Sequence, residues 1–305
     1  MSDTEQRKKI AIIGAHGRLG SALVGALSWQ HDIVPIPRTR LDFNGRDQLD
    51  QTLAPIDFDL LINTAAFTDV DKCEDERDMA FNVNGHAVGA IARHAADRGV
   101  RMIHFSTDYV FDGEKTEPYT EDDTPNPISV YGESKLLGEQ QLLEASADHL
   151  AVRVCWVFGP ARPGFPDWIV DQLIKNDSFS VVQDKTGSPT YTIDCSNYLA
   201  PLLFGDKATG GILHLANSGA PTWQEWAQQC ADSAAKAGAP LKATTVGGVP
   251  MDSITAFKAK RPRHSALSLS RYEELTGTTP RPWAEAIDDY FDTHYSAPNS
   301  ESTEV

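Results

Sequence analysis

The sequence predicts an α/β protein with a doubly wound parallel sheet, and three observations lead to this fold class. Apolar runs of strand length alternate with longer helical stretches through the first half of the 305 residues. The strand runs are apolar throughout, which is typical of strands that are covered on both faces. A glycine-rich turn also follows the first strand and opens the first helix. Strands that alternate with helices in this way form a parallel sheet.

The predicted elements follow from these runs in chain order. Lys9–Gly14 (Lys-Ile-Ala-Ile-Ile-Gly) is a buried strand, and the amphipathic stretch after it is a helix. Gly99 is a helix stop, and Pro127 stands where a helix can start. The predicted strands are 9–14, 33–36, 59–63, 100–106 and 149–154, and the predicted helices are 18–28, 75–98 and 127–147.

The pattern breaks after Phe158, where short strands, Gly-Pro turns and helices follow in no repeating order. We therefore predict a main domain at 1–158 and a smaller, mixed C-terminal domain at 159–295, with some later segments returning to the main sheet. Residues 296–305 are small, polar and acidic, and we expect a disordered tail.

The composition and net charge of the chain limit the kinds of binding partner that we expect for this protein. With 41% hydrophobic and 23% charged residues the composition is that of a globular protein. The formal net charge of −16 excludes nucleic acid and an anionic membrane surface as expected partners, because phosphate contacts need Lys and Arg. One anionic small molecule needs only a local basic pocket. The acidity itself is consistent either with solubility or with a salt-rich cytoplasm.

The four cysteines are far apart and form neither a Cys-x-x-Cys pair nor a Cys/His cluster, so neither zinc nor a disulfide framework is expected. The N-terminus lacks the apolar core of a signal peptide, and no run approaches the length of a membrane span. We therefore expect a cytoplasmic protein with no membrane partner.

The glycine string Gly14-Ala15-His16-Gly17-Arg18-Leu19-Gly20 predicts a dinucleotide site of the Rossmann type. Glycines let the backbone approach a pyrophosphate, and the amides at the helix start hold the phosphate oxygens. Arg18 can add a charge to the phosphates. The alternative is a glycine turn without a ligand.

The end of the second strand indicates which dinucleotide is bound. A Rossmann site usually has an acid there for the ribose diol of NAD, whereas this chain has Arg38, which suits the 2′-phosphate of NADPH. NADPH is therefore favoured, with NADH left open, and a solvated loop arginine is the alternative. Asp42 and Phe43 are placed to flank the adenine, although Phe43 is equally compatible with the core.

Two further strand ends are predicted to face the same pocket. The small residues Ala65 and Ala66, after the third strand, allow a cofactor to lie against the backbone, the alternative being close packing of a helix on the sheet. After the fourth strand, Ser106 and Thr107 offer hydroxyl groups. Ligands of parallel sheets bind outside the carboxyl ends of the strands.

Tyr131 and Lys135 supply the candidate chemistry. Their i, i+4 spacing puts a phenol and an ammonium on one face of a helix. The ammonium favours the phenolate, so the sequence predicts a lowered phenol pKa and a proton donor that works near neutral pH. The spacing alone also fits two surface residues on a helix.

Together these motifs resemble the extended short-chain dehydrogenase/reductases and, within them, the dTDP-4-dehydrorhamnose reductase family. The resemblance runs from about Lys9 to Tyr290. It is carried, in the family's order, by the glycine string, 63–74, Phe81-Asn82-Val83-Asn84, Ser106–Gly113, Tyr131–Glu139, Arg153–Gly159, Gly187–Tyr191, Thr222-Trp223, and Arg261-Pro262 with Ser265.

The resemblance implies NADPH-dependent reduction of the 4-keto group of dTDP-4-dehydro-6-deoxy-L-mannose to dTDP-L-rhamnose, with a nucleotide sugar as substrate and a homodimer left open. It makes Tyr131 the acid, Lys135 the holder of the nicotinamide ribose, and Thr107 the donor to the sugar oxygen, with Ser106 as its rival. The implied cofactor contacts are Gly17, Arg18, Leu19, Asp42, Phe43, Ala66, Phe67, Thr68 and Phe105, and the implied substrate contacts are Asp108 and Trp156.

The chain also departs from the family pattern. Lys185 stands where Gln is frequent, and His264 where Asn is frequent, so a reductase or epimerase for another nucleotide sugar stays open. Ala22 replaces a glutamate that binds metal in some relatives, so no metal is expected. Lys185 and Arg261 are candidates for the nucleotide diphosphate or are solvated charges, and Trp156 is alternatively a core aromatic. A non-catalytic NADP-binding subunit, like the regulatory subunit of methionine adenosyltransferase, is the alternative from another class.

Overall fold

The computed structural model describes residues 7–36 and 46–295. Its strands are β1 (Lys9–Ile13), β2 (Asp32–Ile36), β3 (Leu60–Asn63), β4 (Arg101–Thr107), β5 (Leu150–Phe158), β6 (Phe179–Val182), β7 (Pro189–Tyr191), β8 (Gly211–His214) and β9 (Val246–Val249). Its α-helices are α1 (Arg18–Leu27), α2 (Arg46–Leu53), α3 (Val70–Asp75), α4 (Arg77–Phe81), α5 (Ala87–Asp97), α6 (Val130–Ala145), α7 (Phe165–Lys175), α8 (Thr192–Leu199), α9 (Trp223–Lys236), α10 (Ser270–Thr276) and α11 (Trp283–His294).

The main sheet has seven strands in the order β2-β1-β3-β4-β5-β7, and β8 also pairs with β5. Every pairing is parallel. β1 lies between β2 and β3 in the sheet. The chain passes from β1 to β2 on one side and then to β3 on the other side, so the strand order reverses between β1 and β3. Ligands of open α/β sheets bind at such a switch point. The predicted doubly wound, Rossmann-type fold is confirmed.

Both faces of the sheet are buried, which explains the uniformly apolar strands. On one face, Leu19 and Leu23 of α1 pack with Leu199 of α8 and with Tyr272 of α10. On the other face, residues of α2, α5 and α6 form a second core that includes Leu53, Ile91 and Leu142. The strand ends between these two layers are therefore held rigidly in place.

The second half of the chain contributes both to the main sheet and to a separate core. β7 and β8 pair with β5 in the main sheet. α7, α9 and α11 pack around a third core, beside the two-stranded parallel sheet of β6 and β9. The predicted domain limits stay a prediction, and the predicted tail at 296–305 lies outside the described residues. Within the described ranges, no helix combines the length and apolar character needed to cross a lipid bilayer.

Three predicted elements differ from the structure by more than one residue at an end. The helical region predicted at 75–98 begins at Val70, breaks at Glu76 and contains a π-helical turn over Asn82–His86. The helix predicted at 127–147 begins at Val130, because the Ser129 side chain caps it by accepting a hydrogen bond from the amide of Gly132 at 3.2 Å. The fifth strand extends to Phe158, since its later residues pair with β7. These ends depend on caps and on non-local pairing rather than on local periodicity.

Candidate active site

The glycine-rich turn joins β1 to α1 at the switch point of the sheet. Gly14 has φ +79°, a left-handed conformation that side chains rarely adopt. A Cβ on Gly14 would lie 2.6 Å from Oγ1 of Thr64, at the end of β3. The amide of Thr64 in turn donates to the carbonyl of Ile13 at 2.9 Å. The turn therefore requires glycine in order to pass so close to β3.

Gly20 fixes the start of α1 against the same turn. A Cβ at this position would lie 2.2 Å from the carbonyl oxygen of Gly14, 2.8 Å from its carbonyl carbon and 2.9 Å from Cα of Ala15. All three are backbone atoms, so the strain cannot be relieved by a rotamer change. The first turn of α1 and its free amides are thus held directly beside the turn.

We expect Gly20→Ala to destabilise the protein by about 1–3 kcal/mol, since it overpacks a rigid backbone contact, and to weaken dinucleotide binding. Gly25→Ala is the matched control, because Gly25 lies in the same helix with no atom within 4 Å of its added Cβ. It should stabilise the protein by roughly 0.5–1 kcal/mol. Urea unfolding and a dinucleotide titration measure both effects, and equal stabilities of the two variants would contradict the packing argument.

A cavity of ≈ 380 Å³ opens beside this turn at the carboxyl ends of the strands. It brings together eleven of the residues predicted to bind the cofactor: Gly14, His16, Gly17, Arg18, Leu19, Ala65, Ala66, Thr68, Phe105, Tyr131 and Lys135. Thr64, Val154, Val157 and Arg162 also line it and were missed, whereas Ser106 was considered only as the rival of Thr107. The predicted Arg38, Asp42 and Phe43 lie outside the described residues.

Arg18 and Arg162 join the glycine turn to the segment after β5. The Arg18 guanidinium donates to the carbonyls of Val157 at 3.0 Å, Arg162 at 3.3 Å and Pro163 at 2.6 Å. Arg162 donates back to the carbonyl of His16 at 3.1 Å. Arg18 thus lines the cavity, and three of its five N–H groups donate to backbone carbonyls. Arg162 was missed because only the fold brings it to the glycine turn, 146 residues away along the chain.

Phe67 is predicted to line the cofactor; it is not among the residues that line the cavity, and its role stays a prediction. Its amide donates to Asn84 Oδ1 at 2.8 Å, and its carbonyl accepts from Asn84 Nδ2 at 3.0 Å. The ring packs against the cluster that contains Cys73, Tyr109 and Tyr131. Because Asn84 Nδ2 also donates to Ser134 Oγ at 3.0 Å, this segment is tied to α6 one residue before Lys135.

Tyr131 and Lys135 lie in the first two turns of α6, and both line the cavity. The Tyr131 ring packs edge-on against that of Tyr109, with 5.5 Å between centroids. The Lys135 Nζ donates to the carbonyl of Phe105 at 2.6 Å and lies 3.0 Å from Nε2 of His104. The helix thus presents the predicted phenol and amine to one cavity.

The protein's own groups do not lower the phenol pKa as predicted. Burial raises the pKa of Tyr131 above its ordinary value, and a hydrogen bond with Thr107 only partly opposes this. Burial also lowers the pKa of Lys135 to about 7, against the effect of Glu139. The expectation that an ammonium favours the phenolate is therefore wrong for the protein alone, because burial disfavours both charged forms. Tyr131 keeps its proton at neutral pH.

Ser106 and Thr107 differ in how their hydroxyl groups are used. The Thr107 hydroxyl donates to Asp108 Oδ1 at 3.0 Å and accepts from the amide of Tyr109 at 3.2 Å. Ser106 Oγ is buried, lines the cavity and has no hydrogen-bond partner among the described residues. Since buried hydroxyls are almost always hydrogen-bonded, Ser106 Oγ can bond a polar group or a water molecule that enters the cavity.

Asp108 belongs to a buried polar cluster next to Thr107. Its second oxygen accepts from Ser265 Oγ at 2.6 Å. Burial raises the pKa of Asp108, and the nearby Lys185 opposes this. Lys185 is fully buried, donates to the carbonyl of Pro262 and lies 5.4 Å from the Tyr109 ring centroid, so it is not a solvated charge. The contact of Asp108 with a substrate stays a prediction.

Trp156 occupies the irregularity where β5 changes partner. Its φ of +44° is rare for a bulky residue, and the pairing register shifts between Cys155 and Val157. The indole stacks on Trp226 with 5.2 Å between centroids and has no partner for its Nε1 among the described residues. Strained backbone of this kind concentrates at functional sites. The cavity lining includes its neighbours Val154 and Val157 but not Trp156 itself, whose predicted role stays a prediction.

The other candidate residues of the second half have partners within the chain. Arg261 forms a salt bridge with Asp71 at 2.7 Å and stacks over Phe257 at 3.8 Å. His264 Nδ1 lies 3.1 Å from Thr186 Oγ1. Across 7–36 and 46–295, no three His, Cys, Asp or Glu side chains come together closely enough to hold a metal ion.

Comparison with known proteins assigns a family. The model of the RmlD substrate binding domain matches residues 8–296. The spore coat polysaccharide biosynthesis protein SpsK of Bacillus subtilis is 32% identical over 290 residues, which are 95% of this chain and 99% of SpsK. A dTDP-4-dehydrorhamnose reductase of Burkholderia thailandensis is 32% identical over 92% of this chain and 96% of its own.

The fold and the sequence agree in this assignment. The crystal structure of dTDP-4-dehydrorhamnose reductase from Bacillus anthracis in complex with NADP is similar with a TM-score of 0.86 and 30% identity, covering 94% of this chain and 99% of that one. The resemblance inferred from the motifs is thereby confirmed. The chain belongs to the RmlD substrate binding domain family.

Proposed function

We propose that this protein reduces the 4-keto group of dTDP-4-dehydro-6-deoxy-L-mannose with NADPH to give dTDP-L-rhamnose. The observation that carries the proposal is the convergence of Tyr131 and Lys135 with the glycine turn on one cavity. Relatives that align with nearly the whole chain are named dTDP-4-dehydrorhamnose reductase, and one of them was solved in complex with NADP.

The cavity fits a nicotinamide dinucleotide by three features of the chain. The turn at Gly14 passes close to β3, as a pyrophosphate cradle requires, and Gly17, Arg18 and Leu19 at the start of α1 line the same cavity. Ser106 offers a buried hydroxyl that lacks a partner in the described chain. Lys135 offers an amine beside it. NADPH bound there would supply the hydride.

Residues of the chain donate the proton, stabilise the carbonyl oxygen and bind the ribose. As the carbonyl oxygen of the sugar gains negative charge, the protonated Tyr131 hydroxyl donates its proton to it. Its raised pKa ensures that the proton is present at neutral pH. At the end of β4, the Ser106 hydroxyl lines the cavity and can donate to the same oxygen, whereas the Thr107 hydroxyl can do so only by turning its O–H away from Asp108. Lys135 fixes the ribose side of the cavity.

The test is the loss of nicotinamide absorbance in a mixture of protein, NADPH and dTDP-4-dehydrorhamnose. We expect oxidation of NADPH only when the sugar nucleotide is present, and faster than with NADH. A panel of other nucleotide sugars separates this function from a reductase or epimerase of another sugar. Tight NADPH binding without turnover of any of them would instead support a non-catalytic binding subunit. A cytoplasmic location and a homodimer stay predictions.

A further inference from the structure

The charged side chains that line the cavity are all cationic, although the protein as a whole is strongly acidic. The formal net charge of the chain is −16. The described residues of the cavity lining nevertheless include no Asp or Glu, and their cations are Arg18, Lys135 and Arg162. Lys135 lies on α6 near Tyr131, whereas both arginines lie at the glycine turn. This end of the cavity therefore suits the anionic part of a ligand.

The two arginines at this end use their donors differently. Arg18 is half-buried and donates three N–H groups to backbone carbonyls at and after the end of β5. Arg162 is exposed and makes one hydrogen bond within the described ranges, to the carbonyl of His16 at 3.1 Å. Because a guanidinium has five N–H groups, Arg162 keeps four of them for a ligand.

The short segment 159–164 between β5 and α7 fixes the position of Arg162. Arg18 binds the carbonyls of Arg162 and Pro163 at 3.3 and 2.6 Å. Gly164 caps α7, and its amide donates to Asp167 Oδ2 at 2.7 Å. With the segment held on both sides of Arg162, the guanidinium reaches back to the glycine turn rather than extending into solvent.

The start of α1 lines the cavity at the same end. Its N-cap, Gly17, has no side chain to accept from the first amides of the helix, and its first turn contains no acid. Such amides have no partner within the helix and bind phosphate oxygens well. Ser106 Oγ is a separate observation, because this hydroxyl is 4% exposed, lines the cavity and has no partner in the described chain. The cavity thus offers donors from three different elements.

We propose that Arg162 binds the diphosphate of the dinucleotide together with the start of α1. The identity of this ligand rests on the proposed function, whereas the positive charge at the glycine turn does not. The planar guanidinium matches two phosphate oxygens at once. Since NADPH and NADH share the diphosphate, Arg162 adds affinity for both without selecting between them, in contrast to the predicted contact of Arg38 with the 2′-phosphate.

Two substitutions separate the charge of Arg162 from its hydrogen bond to His16. Arg162→Gln removes the charge but keeps an NH₂ group that can donate to the His16 carbonyl. We expect it to weaken NADPH and NADH equally, by about tenfold or about 1.4 kcal/mol, near the lower limit for a hydrogen bond to a charged group. Arg162→Lys keeps the charge and should retain most of the affinity. A purely structural link to His16 predicts full affinity in both variants.

Arg98→Gln is the matched control. Arg98 is also exposed and donates to a backbone carbonyl, that of Leu53 at 3.3 Å, but it does not line the cavity. Its substitution changes the net charge of the protein by the same amount. Calorimetric titration of the full-length proteins with each dinucleotide, without a sugar nucleotide, measures the dissociation constants. The difference between Arg162→Gln and the unsubstituted protein should narrow at roughly 1 M salt, where exposed charges are screened.

Unchanged affinity of Arg162→Gln for both dinucleotides would overturn the proposal. A loss confined to NADPH would also overturn it, because Arg162 would then contact the 2′-phosphate, and so would an equal loss in Arg98→Gln. If the unsubstituted protein bound neither dinucleotide, this inference and the proposed function would fall together. Binding that responds as expected, without turnover of any sugar nucleotide, would refute the reduction alone.

Discussion

Tyr131→Phe is expected to lower turnover by about 10²–10⁴-fold, the usual contribution of a positioned proton donor. The substitution removes only the hydroxyl, because the phenyl ring can keep its edge-on packing against Tyr109 at 5.5 Å. The carbonyl oxygen would then gain charge without a proton from α6. The affinity for NADPH should change little, since the glycine turn and Lys135 remain. Steady-state rates and a separate NADPH titration measure the two effects.

Tyr290→Phe is the matched control for this prediction. Tyr290 is also buried and also hydrogen-bonded, donating to Asp167 at 2.6 Å, but it belongs to the third core rather than to the cavity. It should lose about 1 kcal/mol of stability with unchanged turnover. Near-normal turnover of Tyr131→Phe, or an equal loss in both variants, would remove Tyr131 from the proposed role.

Glu139→Gln is expected to destabilise the protein by about 3–5 kcal/mol, because it leaves the Arg153 guanidinium buried without a countercharge. Glu139 holds Arg153 with two hydrogen bonds, and both side chains are only 2% exposed. The pair joins α6 to β5 one turn beyond Lys135, so the loss should also disturb the cavity. Urea unfolding measures the free energy.

An exposed ion pair of the same length provides the comparison. Asp171 and Lys175 approach to 2.7 Å on α7, but they are 47% and 64% exposed. Asp171→Asn should cost about 0.3–0.5 kcal/mol, because water screens the pair. If Glu139→Gln loses stability because the Arg153 charge stays buried and unpaired, the double variant Glu139→Leu/Arg153→Met should be more stable than Glu139→Gln. Similar small losses in both single variants would contradict the argument.

Much of the site could be predicted because its signals are local in the chain. The glycine turn follows from backbone sterics, which permit φ +79° at Gly14 and the close approach at Gly20 only without a side chain. Tyr131 and Lys135 face one cavity because the helical repeat puts i and i+4 on one side. The four-residue spacing was therefore sufficient to pair them.

Other features could not be predicted, because they depend on residues far apart in the sequence. That Arg18 contacts the phosphates stays a prediction, but the sequence does not show that its guanidinium also donates to the carbonyls of Val157 in β5 and Pro163 after it. The prediction of a lowered pKa for the Tyr131 phenol was wrong because burial, which the spacing does not reveal, raises this pKa more than the hydrogen bond with Thr107 lowers it. The contact of His104 with Lys135 exists only because β4 and α6 pack together.

The sequence by itself determined the parallel sheet, the glycine turn and the phenol–amine pair, since each depends on the periodicity or sterics of neighbouring residues. Only the tertiary structure decided which groups are desolvated and which hydroxyl or imidazole lies next to them. Burial and these contacts follow from strand register and helix packing. For example, the register of β3 and β4 puts Asn63 opposite His104. The protonation states of Tyr131 and Lys135 are set by that burial, and hence by the fold rather than by residue type.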